Sequence, residues 1–164
     1  MPTHKSVDLE HLGGMHFRAE PSSGHIIEFD ERESNQGGSP VETLLTALGA
    51  CSAMDVISIA TKKRQAISAY RIHVSGSQRD EYPQVYTDID VVHEVTGEDL
   101  SEAAIRRSIE LSATKYCPVN AMLSAGATVV HHRYVIHGTG AKAFEAEGEV
   151  IATGPYQRPD ILPG

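Results

Sequence analysis

Cysteine is scarce in this sequence, with two in 164 residues, Cys51 and Cys117. Neither has a neighbouring cysteine or a second ligand close in sequence, which excludes the spacings of zinc fingers and of thioredoxin-type CxxC motifs. Basic residues are also few: 14 Lys and Arg against 22 Asp and Glu give a formal net charge of −8. No Lys/Arg-rich stretch with interleaved aromatics occurs, so nucleic acid and an anionic membrane surface are poor partners. The first ten residues lack the apolar core of a secretory signal. This predicts a cytoplasmic protein whose thiols stay reduced, and it disfavours a permanent structural disulfide. No internal repeat is present. Two readings of the cysteines stay strong: inert thiols buried as small apolar groups, or a pair that folding brings together for redox chemistry.

The length suits one domain with a sizeable core. Residues 6–19 and 25–29 read as two strands of a hairpin around Pro21-Ser22-Ser23-Gly24. Residues 30–38 form a charged, then glycine-rich loop. Ser39-Pro40-Val41-Glu42 starts a helix in the preferred way, with Ser39 as N-cap, Pro40 in the first turn and Glu42 as capping-box partner. That helix runs to about residue 63. Its residues 41–60 are mostly apolar but carry Glu42 and Asp55, so it reads as a core helix and not a membrane span. Apolar side chains nearly encircle it, and one chain of this size has little to cover them all. A second copy of the chain is therefore expected to supply part of the cover.

Residues 70–75 and 85–91 alternate with period two and read as an antiparallel pair. Asp99-Leu100-Ser101-Glu102 starts a second amphipathic helix, expected to reach residue 115 and to stop or kink at Cys117, before Pro118. A short helix over 119–125 and a strand over 129–136 come next. The domain is thus expected over 1–137, with 138–164 as a C-terminal extension. Strands come in antiparallel pairs and do not alternate singly with helices. The fold class is therefore α+β.

Ser39-Pro40-Val41-Glu42-Thr43-Leu44-Leu45, then Gly49-Ala50-Cys51-Ser52-Ala53-Met54-Asp55, and later Lys115-Tyr116-Cys117-Pro118-Val119 resemble the OsmC/Ohr family. Thr96-Gly97-Glu98-Asp99-Leu100 and Leu111-Ser112-Ala113 are most like its YhfA-like branch. The resemblance covers about residues 12–137. It implies an intertwined homodimer with central helices packed between antiparallel-rich sheets and active sites at the subunit interface. It also implies a thiol-dependent peroxidase for small organic hydroperoxides in oxidative stress defence. Cys51 would attack the peroxide, Cys117 would resolve the sulfenic acid as a disulfide, and an external thiol or lipoyl-type dithiol would restore both thiols. No bound cofactor is implied.

The activating groups are less plain. Cys51 sits mid-helix, out of reach of the helix dipole, whereas Cys117 lies at a helix start and is the better thiolate on local physics. A nearby cation is therefore required for Cys51. Family peroxidases use an arginine held by a glutamate that directly follows the proline, a place taken here by Val41, with Glu42 one position later. The arginine candidates are Arg18 and Arg32. Asp55, one turn after Cys51, faces the same side and either holds such an arginine or disfavours a thiolate beside it. These departures keep a second function open, a non-enzymatic OsmC-like protein that binds a small ligand or partner at the dimer interface. The nine histidines show no ligand spacing: His131 and His132 point to opposite faces of a strand, and His73 and His93 lack a second ligand. Surface or interface histidines and no metal are expected.

Overall fold

The computed structural model describes residues 3–154 and is α+β. It forms two compact units, one ending at Leu44 and one beginning at Leu45. In the N-terminal unit, β1 (Val7–Gly13), β2 (His16–Pro21) and β3 (Ile27–Phe29) make an antiparallel sheet in that order. The single strand expected over 6–19 is two strands, because the chain reverses at Gly13-Gly14. Their φ angles of 116° and 56° lie where only glycine is relaxed. Every residue of β1 is exposed, Val7, Leu9 and Leu12 included.

The long helix α1 (Pro40–Lys62) begins as its sequence predicts. Ser39 Oγ accepts from the Val41 N–H at 3.3 Å, and Glu42 Oε2 accepts from the Ser39 N–H at 3.3 Å, which is a capping box. Its own chain buries Leu48, Gly49, Ser52, Val56 and Ala60, while Leu44, Met54 and Ile57 stay exposed. By length and composition alone α1 is apolar enough to cross a membrane.

The C-terminal unit is built on a four-stranded sheet, β4 (Ala66–Gln78), β5 (Tyr86–Glu98), β6 (Val129–Thr139) and β7 (Phe144–Thr153), in that order. β5 and β6 run parallel, and the other pairs are antiparallel. A parallel pair needs a crossover, supplied here by α2 (Glu102–Leu111), a π-helical turn (Ser112–Tyr116) and α3 (Pro118–Leu123). α2 starts where expected, with Ser101 Oγ accepting from the Ala104 N–H. It ends at Leu111, short of residue 115, because the chain widens into the π turn, closed by the Cys117 N–H donating to the Ser112 carbonyl at 2.9 Å.

Residues 144–153, read from sequence as part of an extension, form β7. Its Phe144, Ala146 and Val150 pack against a core of Val56, Ala60, Val95, Ile105, Ile109, Tyr134 and Ile136. Residues 155–164 lie outside the described residues. A second cluster, with Leu48, Ile89, Val91 and Val130, contains Cys117.

Candidate active site

Cys51 and Asp55 are one turn apart on α1, both half-buried and on one side, as the spacing predicts. Cys117 is buried, placed after the π turn as N-cap of α3. Both thiols are free, and the two sulfurs and an Asp55 carboxylate oxygen lie within 4.8 Å of one another. No metal site is expected from the sequence, yet folding assembles three side chains of ligating type. Ser112 Oγ donates to Asp55 Oδ2 at 3.0 Å. The Asn120 N–H donates to Cys117 Sγ at 3.3 Å, and Ser52 Oγ points to the same sulfur at 3.9 Å.

Burial opposes the help that a helix start would give the Cys117 thiolate. Burial, and then the adjacent Cys51, push the Cys117 thiol up to about 12, and the Asn120 N–H only partly offsets them. A six-residue helix contributes less than desolvation does.

Behind Cys117 runs a chain of buried hydrogen bonds. The Asn120 amide donates to the Ala113 carbonyl at 3.0 Å and to Thr153 Oγ1 at 3.4 Å, which turns its Oδ1 toward His132 Nε2 at 2.9 Å. His132 Nε2 is thus the donor and its Nδ1 the acceptor, for His93 Nε2–H at 3.2 Å. His93 Nδ1 then accepts from the Tyr70 hydroxyl at 2.5 Å. All ring nitrogens are satisfied with both histidines neutral. Burial, with each ring's histidine neighbour, lowers His93 to about 3 and His132 to about 4, and burial raises the Tyr70 phenol.

His93 and His132 are therefore core residues, not surface ones. The sequence held the signal: Val91, His93 and Val95, and Val130, His132 and Tyr134, occupy alternate positions on one buried face of each strand. His131 faces the other way and pairs with Glu149 at 3.1 Å.

The other predicted residues belong to the N-terminal unit. Arg18, on β2, donates to Glu28 Oε1 at 3.2 Å, and Glu28 also holds His16. Both contacts keep the Glu28 carboxyl below its ordinary value, His16 most strongly. Exposed Arg32 lines an open cavity of about 860 Å³ with Phe17, Phe29 and Glu42. Glu42 serves the capping box described above.

Residues 33–132 match the family model described as OsmC-like protein. The chain is 39% identical over 123 residues to Protein YhfA of Escherichia coli (strain K12), covering 75% of this chain and 92% of that one. A hypothetical protein from Aquifex aeolicus VF5 superposes with a TM-score of 0.76 at 29% identity, over 85% of this chain and all of the other. The organic hydroperoxide resistance protein OhrB of Bacillus subtilis shares the fold at a TM-score of 0.56 and 17% identity, over 80% and 98% of the two chains. By its motifs, its sequence identity and its matching fold, the chain belongs to the OsmC-like family.

Proposed function

We propose that this chain is a thiol-dependent peroxidase that reduces organic hydroperoxides in oxidative stress defence, as a cytoplasmic homodimer. The observation that carries the reading is the approach of two free thiols, Cys51 on α1 and Cys117 after the π turn, to within 4.8 Å. The Bacillus subtilis protein of the same fold is named for organic hydroperoxide resistance, and the proposal extends that chemistry to this chain. A second copy would cover the exposed Leu44, Met54 and Ile57 of α1.

In the first step the Cys51 thiolate attacks a peroxide oxygen. An S–O bond forms, the O–O bond breaks, and the alkoxide leaves as alcohol after gaining a proton. In the second, the Cys117 sulfur attacks Cys51 sulfenic acid, forming an S–S bond and releasing water. One hydroperoxide and two thiols thus give an alcohol, water and a disulfide. An external thiol or lipoyl-type dithiol then reduces the disulfide by exchange. Since burial keeps Cys117 protonated, the second step needs a base, a role proposed for the adjacent Asp55. The cation that favours the Cys51 thiolate is sought in Arg18 or Arg32, with Glu42 as its support across the dimer.

Cys51→Ser tests the reading: consumption of an organic hydroperoxide with dithiol as reductant should cease. Unchanged consumption would sink it. One observation favours the second reading, a ligand- or partner-binding protein without turnover. Among the described residues no Lys or Arg forms an ion pair with Asp55, which leaves a carboxylate beside the sulfurs. Mass spectrometry after stoichiometric peroxide separates the two: a Cys51–Cys117 linked peptide supports the enzyme, and persistent free thiols support the binder.

A further inference from the structure

We infer that Cys51, Asp55 and Cys117 form a binding site for a thiophilic divalent cation of the zinc type. Two sulfurs and one carboxylate oxygen suit zinc, and three protein ligands leave a fourth position for water. Tetrahedral zinc at ordinary bond lengths places such ligand atoms about 3.5–3.8 Å apart. Here all three lie within 4.8 Å, so side-chain adjustments of about 1 Å close the site. Two ligands come from successive turns of α1, and the third is the extended N-cap residue of α3, held between the π turn and that helix.

A second, independent observation is the shell around these atoms. Metal-binding carboxylates and thiolates are themselves hydrogen-bonded, which orients them and tunes their basicity. Asp55 Oδ2 accepts from Ser112, and Cys117 Sγ accepts from the Asn120 N–H with Ser52 Oγ nearby. Asn120 is in turn anchored by the buried chain through His132 and His93 to Tyr70. These donors all point at atoms that carry negative charge once a metal is bound.

Charge balance favours the same conclusion. Two thiols and one carboxylate carry one negative charge. Replacing both thiol protons by a divalent cation leaves that charge unchanged, so binding adds no net charge to a half-buried site. Two free thiolates beside Asp55 would instead gather three like charges. A metal on both sulfurs also occupies the atoms that peroxide chemistry would use. The inference does not rest on the peroxidase reading, since binding requires no turnover.

The test uses the full-length, reduced, chelator-treated chain with cobalt(II) as the spectroscopic probe. One cobalt per chain should bind, with a thiolate-to-cobalt charge-transfer band in the near ultraviolet, and zinc should displace it. Zinc should also protect both cysteines of the unmodified protein from alkylation. Ser112→Ala should weaken binding by about tenfold through its effect on Asp55. Cys51→Ser and Cys117→Ser should each lose far more, and Asp55→Asn should weaken binding while keeping the charge-transfer band. Absence of that band in the unmodified protein, or undiminished one-to-one binding in both cysteine variants, would overturn the inference. The latter would assign the cation to exposed pairs such as His131 with Glu149 or His137 with Glu145. Loss of peroxide turnover enters none of these readouts, so failure of the peroxidase proposal and failure of this one are separable.

Discussion

His93 and His132 hydrogen-bond to each other at 3.2 Å inside the core, and each ring keeps only one proton. In the unfolded chain both titrate near pH 6.5, whereas in the fold they resist protonation down to about 3 and about 4. The unfolded state therefore binds more protons as pH falls. Stability should be flat in this respect above about pH 7.5 and decline below about 6.5, approaching roughly 1.4 kcal/mol per pH unit for each histidine before levelling near their folded values. Urea midpoints at pH 7.5, 6 and 5 measure it. His132→Gln, which does not titrate, should remove about half of the slope.

Asn120 ties that pair to the sulfur. Asn120→Ala leaves the His132 Nε2–H without its acceptor and frees the Ala113 carbonyl, so a loss of about 1–3 kcal/mol is expected. Because the bond that Asn120 supplies to Cys117 comes from the backbone, it survives, but the turn that aims it is loosened. Rapid-quench mass spectrometry should find sulfenylation of Cys51 unchanged and disulfide formation slowed. Equal slowing of both steps would contradict this division.

Cys117→Ser should leave Cys51 without a resolving thiol. Excess hydroperoxide should then drive it to sulfinic and sulfonic acids, gains of two and three oxygens on one peptide, whereas the unmodified chain should stop at the disulfide.

Gly148 on β7 faces the Tyr134 ring. A Cβ built there comes within 2.8 Å of the Tyr134 hydroxyl and 2.9 Å of its ring carbon, and the ring is pinned by burial and by its bond to Glu102. Gly148→Ala should cost about 1–3 kcal/mol, read as a fall of roughly 2–10 °C in Tm. An unaffected Tm would mean that β7 is dispensable to the sheet.

Local signals carried much of the architecture. Ser39-Pro40-Val41-Glu42 and Ser101-Glu102 announce their helices because capping is chemistry within four residues, and the structure shows both caps. The two cysteines stand out through the motifs around them. Less legible are features set by partners distant in sequence. β7 lies among Gly, Ala and Glu, and only its register with β6 makes it a strand. The depth of Cys117 comes from packing against Leu48, Ile89 and Val91, which no helix-start rule anticipates. His93 and His132 mislead for another reason. Their alternation with valines is visible, but polarity outweighs pattern, and the polar partners that permit burial come from other elements.

The π-helical turn over Ser112–Tyr116 inserts one residue more than an α-helical turn would hold. It works as a phase shifter between α2 and α3. Shortening the segment by one residue would restore an ordinary helical turn and rotate Cys117 and α3 by about 100°, carrying the Cys117 sulfur away from Cys51 and the Asn120 amide away from His132. The segment's length, as much as the identity of its residues, sets whether the two sulfurs meet.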